Sequence, residues 1–232
     1  MINKKVVATI EARMGSTRLP GKVLRFINGK PMLEYLIDSL KKIKNIDEII
    51  IATTKSSKDD EIVNFAREVK VFCYRGSEDD VLGRVVNAAS KSQADVIIQL
   101  TGDNPIIDSD IIKKSINIFF EKQADCVENF FEKRFPSGME VCVVKYEILK
   151  KISELSLSKT YREHVPLFLK INKKQYKIIS VLPEKNLARP DLSFTVDTQK
   201  DFDNVSLIIS NFKKKNKEID CSSLVKFCDE KN

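Results

Sequence analysis

The 232-residue chain has no tryptophan, a single histidine, and only seven glycines and seven prolines. With His164 the only imidazole, a multi-histidine metal centre is excluded and any Ser/His/Asp triad depends on that one residue; no serine sits in a nucleophile-elbow setting. The five cysteines, Cys73, Cys126, Cys142, Cys221 and Cys228, are scattered through apolar or strand-like segments and form no C-x-x-C pair. That argues against a disulfide frame or structural zinc and for buried reduced thiols. No apolar run approaches the roughly 20 residues needed to cross a bilayer. Residues 1–7 lack the long apolar stretch and small-residue cleavage site of a secretory signal, so a cytoplasmic protein without a membrane partner is expected. At 42% apolar and 31% charged residues the chain is too hydrophobic for disorder. It has no internal repeat or low-complexity linker, and residues 1–232 read as one domain.

Charge is unevenly spread. Lysine and arginine number 40 against 33 aspartates and glutamates, a formal net charge of +7. Residues 1–45 alone hold ten cations against Glu11, Glu34 and Asp38, and the rest of the chain balances at 30 against 30. A protein that binds nucleic acid over its surface spreads its cations across several elements. Here the excess centres on one loop, which favours a compact anion such as a polyphosphate over nucleic acid. The lysine run at 213–217 reads as a solvated helix end.

The segment KVVATI (5–10) is apolar and β-branched, a polar loop follows to about Gly29, and after Pro31 apolar residues recur at helical spacing. Strand and amphipathic helix then alternate: strands at 47–54, 70–75 and 95–101, each with a helix after it. Ser77 with Asp80 three residues on resembles a capping box for the third helix, and Asp108 and Asp110 suit the start of the fourth. Near-continuous apolar strands alternating with helices predict an α/β fold with a parallel sheet covered on both faces. After residue 125 the rhythm changes. DCVENFF and MEVCVVK flank an FPSG turn, the stretch after them has room for a short helix, and YKIISVLP and LSFTV read as further strands, an antiparallel extension. A final helix starts at Thr198 with Asp201 at its third position.

The loop RMGSTRLPGK (13–22) joins two glycines, two hydroxyls and three cations directly after the first strand, the ingredients of a phosphate cradle. It is not a P-loop: five residues separate Gly15 from Gly21, and Val23 follows Lys22. A basic surface loop is the competing reading, although ligands of open α/β sheets gather at the carboxyl ends of strands. TGDNP (101–105) puts Asp103 at the end of the fourth strand, and Asp197 precedes the final helix. The two carboxylates are suited to share one Mg²⁺, which takes one or two carboxylates plus substrate phosphates; capping is the alternative for Asp197. Arg162, Glu163 and His164 form a further polar cluster, suited either to structural hydrogen bonds or to an acidic or hydroxylated substrate.

The segments IEARMGSTRLPGKVL, RGSEDDVLGR, LTGDNPIID, FPSGMEV, REHV and FTVDTQKDF fall in order over nearly the whole chain. Together they resemble the cytidylyltransferases grouped with the spore coat polysaccharide synthesis protein, relatives of acylneuraminate and 3-deoxy-manno-octulosonate cytidylyltransferases. The resemblance implies a Rossmann-like, mostly parallel mixed sheet of the nucleotide-diphospho-sugar transferase (glycosyltransferase-A) type. It also implies CMP transfer from CTP to a sugar or sugar phosphate for surface-glycan synthesis, and a homodimer. By motif position, Arg13, Gly15, Ser16, Arg18 and Lys22 would hold the triphosphate and Ala12 and Arg75 would lie by the base. Asp103 and Asp197 would hold Mg²⁺, with Arg13, Lys22 and Asp103 catalytic, and Arg162 and His164 would face the sugar. Glu11 stands where the family commonly has Gln, and Gly83 where it commonly has Asp. A glycosyltransferase consuming a sugar nucleotide and a non-catalytic nucleic-acid binder are the competing functions. The triphosphate-sized basic loop counts against the first, and the absence of an aromatic-interleaved basic patch against the second.

Overall fold

The β-branched run after Lys5 forms β1 (Val6–Glu11) in the computed structural model, which describes residues 4–155 and 157–230. The loop after it runs into a two-stranded hairpin, β2 (Phe26–Ile27) with β3 (Lys30–Pro31), and then α1 (Met32–Lys41), whose apolar stripe of Met32, Leu33, Leu36, Ile37 and Leu40 is buried. The alternation continues through β4 (Glu48–Thr54), α2 (Asp60–Glu68), β5 (Phe72–Gly76), α3 (Val81–Lys91), β6 (Val96–Thr101) and α4 (Ser109–Glu121). The second half adds β7 (Cys126–Glu128), β8 (Cys142–Lys145), α5 (Tyr146–Ser153), α6 (Lys159–Glu163), α7 (Leu167–Ile171), β9 (Ile178–Ser180), α8 (Gln199–Lys214) and α9 (Cys221–Asp229).

The main sheet has the order β5-β4-β1-β6-β8-β7-β9. The β5, β4, β1 and β6 strands pair in parallel, β8 is antiparallel to both β6 and β7, and β9 is again parallel to β7. The extension expected to be antiparallel therefore owes that character to one reversed strand, β8. Side chains alternate across the sheet as the two-residue strand period requires. Val6, Ala8 and Ile10 of β1 and Val96, Ile98 and Leu100 of β6 pack into one core with α1, α2, α4 and α8. Val7, Ile50, Ala52 and Ile97 pack into the other with α3, α5 and α7. Each buried Val, Leu or Ile among them contributes about 1.5–3 kcal/mol of transfer free energy. The chain goes from β1 out to β4 and β5, then returns to the far side of β1 for β6. The strand order thus reverses between β1 and β6, and a crevice opens beyond their carboxyl ends.

Three local readings are corrected. The third helix is capped by Asp80, which accepts from the Gly83 N–H, while the Ser77 hydroxyl accepts from the Asp80 N–H. LSFTV does not join a ladder: Phe194 N–H donates to Ser137 O (2.7 Å) and Val196 N–H to Asp103 O (2.9 Å), so loop carbonyls take the bonds a neighbouring strand would have. The Thr198/Asp201 capping box opens α8 as expected, but α9 follows it behind a second box, Asp220 with Ser223, that the short apolar run Cys221, Leu224, Val225 did not signal.

Candidate active site

The loop after β1 is pinned at three points before any ligand is considered. Leu19 and Val23 are buried in the core. Gly21, at φ +68°, takes the left-handed turn that a side chain disfavours and donates its N–H to Met14 O at 3.0 Å. Asp59, buried between β4 and α2, accepts from Met14 N–H (2.8 Å), Thr53 Oγ1 (2.9 Å) and Thr54 N–H (3.0 Å). Burial pushes the Asp59 carboxyl up, but its hydrogen bonds from Thr54, Met14 and Thr53 together hold it below the ordinary value.

So fixed, the loop sends Lys22 inward. Its side chain is 10% exposed, and its ammonium donates to Val196 O (2.7 Å), Asp197 Oδ1 (3.0 Å) and Asp103 Oδ2 (3.1 Å). Arg18 meets Asp197 Oδ1 from the solvent side at 2.9 Å. Asp197 does not cap α8, since Thr198 does, and its carboxylate is directed to these cations instead. Asp103 is delivered by the tight turn after β6, where Gly102 N–H donates to Glu11 O at 2.8 Å; a Cβ on Gly102 would stand 3.0 Å from that oxygen.

Around this point lies a cavity of about 370 Å³ lined by Ala12, Arg13, Ser16, Arg18, Lys22 and Arg84, with Asp103 and Asp197 at its floor. It is continuous with a larger cavity of about 640 Å³ whose walls include Asn104, Phe130, Phe131, Lys133, Glu140 and Thr195. Glu11, Thr101, Asp103, Glu163 and His164 line both. The wall of the larger cavity is hydrogen-bonded: Thr195 Oγ1 donates to Asn104 Oδ1 (2.9 Å), Ser137 and Thr195 hydroxyls pair at 3.0 Å, and Gly138 N–H donates to Glu140 Oε2 (2.7 Å). Burial raises the Glu140 carboxyl.

Of the residues singled out from sequence, Ala12, Arg13, Ser16, Arg18, Lys22, Asp103, Asp197 and His164 line these cavities. Arg75 and Arg162 are not among the residues lining either cavity. Arg75 spends its donors on Thr54 O, Ser56 O and Asp60, a tie between β4 and α2. Arg162 spends its own on Asp80 and on the carbonyls of Ser153 and Leu155, joining α6 to α3 and the end of α5. Gly15 stays outside the lining, and a Cβ there would meet Glu78 at 3.4 Å. Sequence reasoning missed Arg84 and Gln99, and marked Glu11 only as a departure from the resemblance. Arg84 is 4% exposed and donates Nε–H to Ala52 O at 3.2 Å; its signal was a cation inside the apolar stripe of α3. Glu11 was a carboxylate ending an otherwise apolar strand, and Gln99 Nε2 donates to its Oε1 at 2.6 Å.

A fit to Mg²⁺ can be tested on the donor set. Two hard carboxylates converge on one cation, Lys22. No group of three or more His, Cys, Asp or Glu suited to a metal occurs among the described residues. Two carboxylates are a sufficient protein share for Mg²⁺ when phosphates and water complete its shell. The residues fit. No helix among the described residues is long and apolar enough to cross a membrane.

The sequence profile of the cytidylyltransferase family matches residues 7–224. The chain is 31% identical to the spore coat polysaccharide biosynthesis protein SpsF of Bacillus subtilis over 208 residues, which is 88% of this chain and 85% of that protein. A cytidylyltransferase structure from Leptospira borgpetersenii superposes with a TM-score of 0.92 at 29% identity, covering 98% of this chain and 95% of that one. The fold is shared with CMP:2-keto-3-deoxy-manno-octonic acid synthetase solved with CTP, at a TM-score of 0.65 and 19% identity over 89% of this chain and 99% of that one.

Proposed function

The chain belongs to the cytidylyltransferase family, and from that premise we propose that it is a cytoplasmic homodimer that transfers CMP from CTP to a sugar or sugar phosphate, releasing pyrophosphate, with Mg²⁺ held by Asp103 and Asp197. The observation that carries the reading is Lys22, fixed between those two carboxylates at the floor of a cavity that Arg13, Arg18 and Arg84 also line. Four cations around one cavity suit a triphosphate better than the diphosphate of a sugar nucleotide. The adjoining cavity sets the hydroxyls, amide and carboxylate of Thr195, Ser137, Asn104 and Glu140 beside the apolar faces of Phe130 and Phe131 and the cations Lys133 and Lys170, which suits an acceptor with both hydroxyl and apolar faces.

Phosphoryl-type transfer asks the protein for in-line positioning and charge neutralisation rather than for covalent participation. Lys22, Arg13 and Arg18 bind the phosphates, and their charge is available to the pyrophosphate as it leaves. The ordered Asn104, Thr195 and Ser137 side chains hold the acceptor in the larger cavity, so that its attacking oxygen enters at the junction with the smaller one. When bound, Mg²⁺ would supply Lewis-acid polarisation of the α-phosphate from Asp103 and Asp197. The second copy would add to the sheet edge at β9, and sedimentation velocity reads that state.

The test is thermal stability with CTP, UTP, GTP, ATP, a nucleotide diphospho-sugar or a random DNA oligomer, each with and without Mg²⁺, followed by pyrophosphate release. A nucleotide at 100 times its dissociation constant adds about 2.7 kcal/mol. A Mg²⁺-dependent shift with CTP is expected. Stabilisation by a nucleotide diphospho-sugar or by DNA, with none by any triphosphate, overturns the reading.

A further inference from the structure

The charges of the larger cavity are sorted by position. Glu11, Asp103, Glu163 and His164 line both cavities and so stand at their junction, whereas Lys133 and Lys170 line the larger one alone. Lys133 also borders a hollow of about 320 Å³, with Phe135 and Pro190, that shares no lining residue with the smaller cavity. Beyond the junction the larger cavity has one carboxylate, and it is engaged: Glu140 accepts from Gly138 N–H (2.7 Å) and Asn104 Nδ2 (3.4 Å). Among the described residues neither Lys133 nor Lys170 forms an ion pair, whereas Arg13, Arg18 and Lys22 of the smaller cavity each do.

The wall that carries the two lysines is fixed from behind. Glu128, fully buried at the end of β7, accepts at Oε2 from Phe130 N–H (2.8 Å) and Phe131 N–H (2.7 Å). Its neighbour Asn129 donates to Met139 O (2.6 Å) and accepts from Val141 N–H (2.8 Å). The two phenyl rings are held edge to face, 5.2 Å between centroids. The chain then turns through Lys133, at φ +49°, whose N–H returns to Phe130 O at 3.2 Å. From α7, the Lys170 ammonium stands 5.7 Å from the centre of the Phe131 ring. Two separate elements thus bring one ammonium each to a cavity wall made by an ordered aromatic pair. Like charges sharing a wall repel, and an anion seated there relieves the repulsion while the rings keep water from one side of it.

We propose that Lys133 and Lys170 determine acceptor specificity by binding an anionic group, carboxylate or phosphate, that the acceptor carries apart from its reacting oxygen, with an apolar face of the acceptor on Phe130 and Phe131. The role rests on the cytidylyl-transfer reading above. The reacting oxygen enters at the junction, and the second group extends past Glu140 to the lysines. These side chains make and break no bond. They set the direction in which the acceptor lies, which hydroxyls alone leave open because a sugar presents them on every side.

The test is calorimetric binding to the full-length protein at low ionic strength, because both ammoniums are exposed. The protein is first saturated with Mg²⁺ and a CTP analogue whose α,β-bridging oxygen is replaced by methylene. The analogue blocks turnover and occupies the cations of the smaller cavity. Glucose 6-phosphate, glucuronate and glucose are then titrated into wild type and the double variant Lys133→Met, Lys170→Met. Wild type should bind glucose 6-phosphate or glucuronate at least about tenfold more tightly than glucose, the tighter of the two identifying the anion as phosphate or carboxylate. The double variant should lose that preference while its affinity for the analogue stays within threefold of wild type. With the analogue bound, equal affinities for the three sugars, no binding of any of them, or a preference that survives in the double variant overturns the specificity role alone. Failure of wild type to bind the analogue overturns the underlying reading, and the role with it.

Discussion

The Val196 N–H donates to the Asp103 carbonyl oxygen at 2.9 Å. This bond ties the segment before α8 to the turn after β6, and it brings Asp197 to the same ammonium that Asp103 meets. The carboxylate pair is therefore a backbone construction. Side chains distant in sequence converge because the Phe194 and Val196 amides bond to loop carbonyls instead of to a strand.

Replacing Lys22 with methionine keeps most of its buried stem and removes the cation shared by Asp103 and Asp197. Two half-exposed carboxylates then face each other, and about 2 kcal/mol of stability should be lost without Mg²⁺. Added Mg²⁺ should stabilise Lys22→Met more than wild type, while CTP affinity falls at least about tenfold. Equal Mg²⁺ shifts in the two proteins would contradict a shared carboxylate site.

Asp103→Asn preserves shape, and Lys22 still donates to Asp197 and to Val196 O. Pyrophosphate release should fall at least about 100-fold while the unfolding temperature moves by a few degrees at most. A near-normal rate would remove Asp103 from the chemistry.

Much of this was legible in the sequence because it is local. The first four strands and helices follow from apolar periodicity, and the string RMGSTRLPGK marks the loop that Gly21 and Leu19 then shape. Asp103 and Asp197 were placed at chain positions where strands end, and the loop contacts of 193–196 brought them together. What did not show was decided by tertiary competition for donors. Arg75 and Arg84 look equivalent in RGSEDDVLGR, and both donate to backbone carbonyls, Arg75 to Thr54 and Ser56 and Arg84 to Ala52 and Ser77, yet only Arg84 stands in the cavity wall. Arg162 has its hydrogen bonds taken by Asp80 and the end of α5 in the same way. Period and motif carry no information on which carbonyl a guanidinium will find.

Asp59 touches no part of either cavity, yet it fastens the basic loop through Met14 and secures Thr53 and Thr54 at the end of β4. Asp59→Ala leaves those buried donors unsatisfied, and a loss of about 2–3 kcal/mol is expected with a raised KM for CTP. Since its folded carboxyl titrates below the ordinary value, its contribution is present above about pH 4 and disappears as pH falls through the folded value. A KM unchanged in Asp59→Ala would show that the loop is held by Leu19 and Val23 alone.

Gly138 has φ +99°, and a Cβ there would stand 2.9 Å from the carbonyl carbon of Phe194. Gly138→Ala should cost about 1–3 kcal/mol through backbone strain and displacement of the 193–196 segment. Because that segment leads directly into Asp197, pyrophosphate release should drop by more than the stability loss accounts for, measured well below the unfolding temperature. Full activity in the folded fraction would mean the segment relaxes without moving Asp197.

Glu11 makes a final, ligand-free prediction whose sign is opposite to that of Asp59. Its carboxyl titrates at about 7 in the folded protein against an ordinary 4.5, so between those values the folded state holds a proton that the unfolded chain has released. Stability contributed by this group is complete below about pH 4.5 and is lost as pH rises through 7. The full shift would correspond to about 1.4 kcal/mol per unit; discounted for solvent at a half-buried site, the loss is about 1–2 kcal/mol. Glu11→Gln keeps the acceptor for Gln99 and cannot ionise. Its unfolding temperature should match wild type near pH 4.5 and exceed it by roughly 2–8 °C near pH 8, measured without CTP or Mg²⁺. Parallel curves across that range would mean that Arg84 compensates the charge fully, so that burial imposes no cost on the ionised carboxylate.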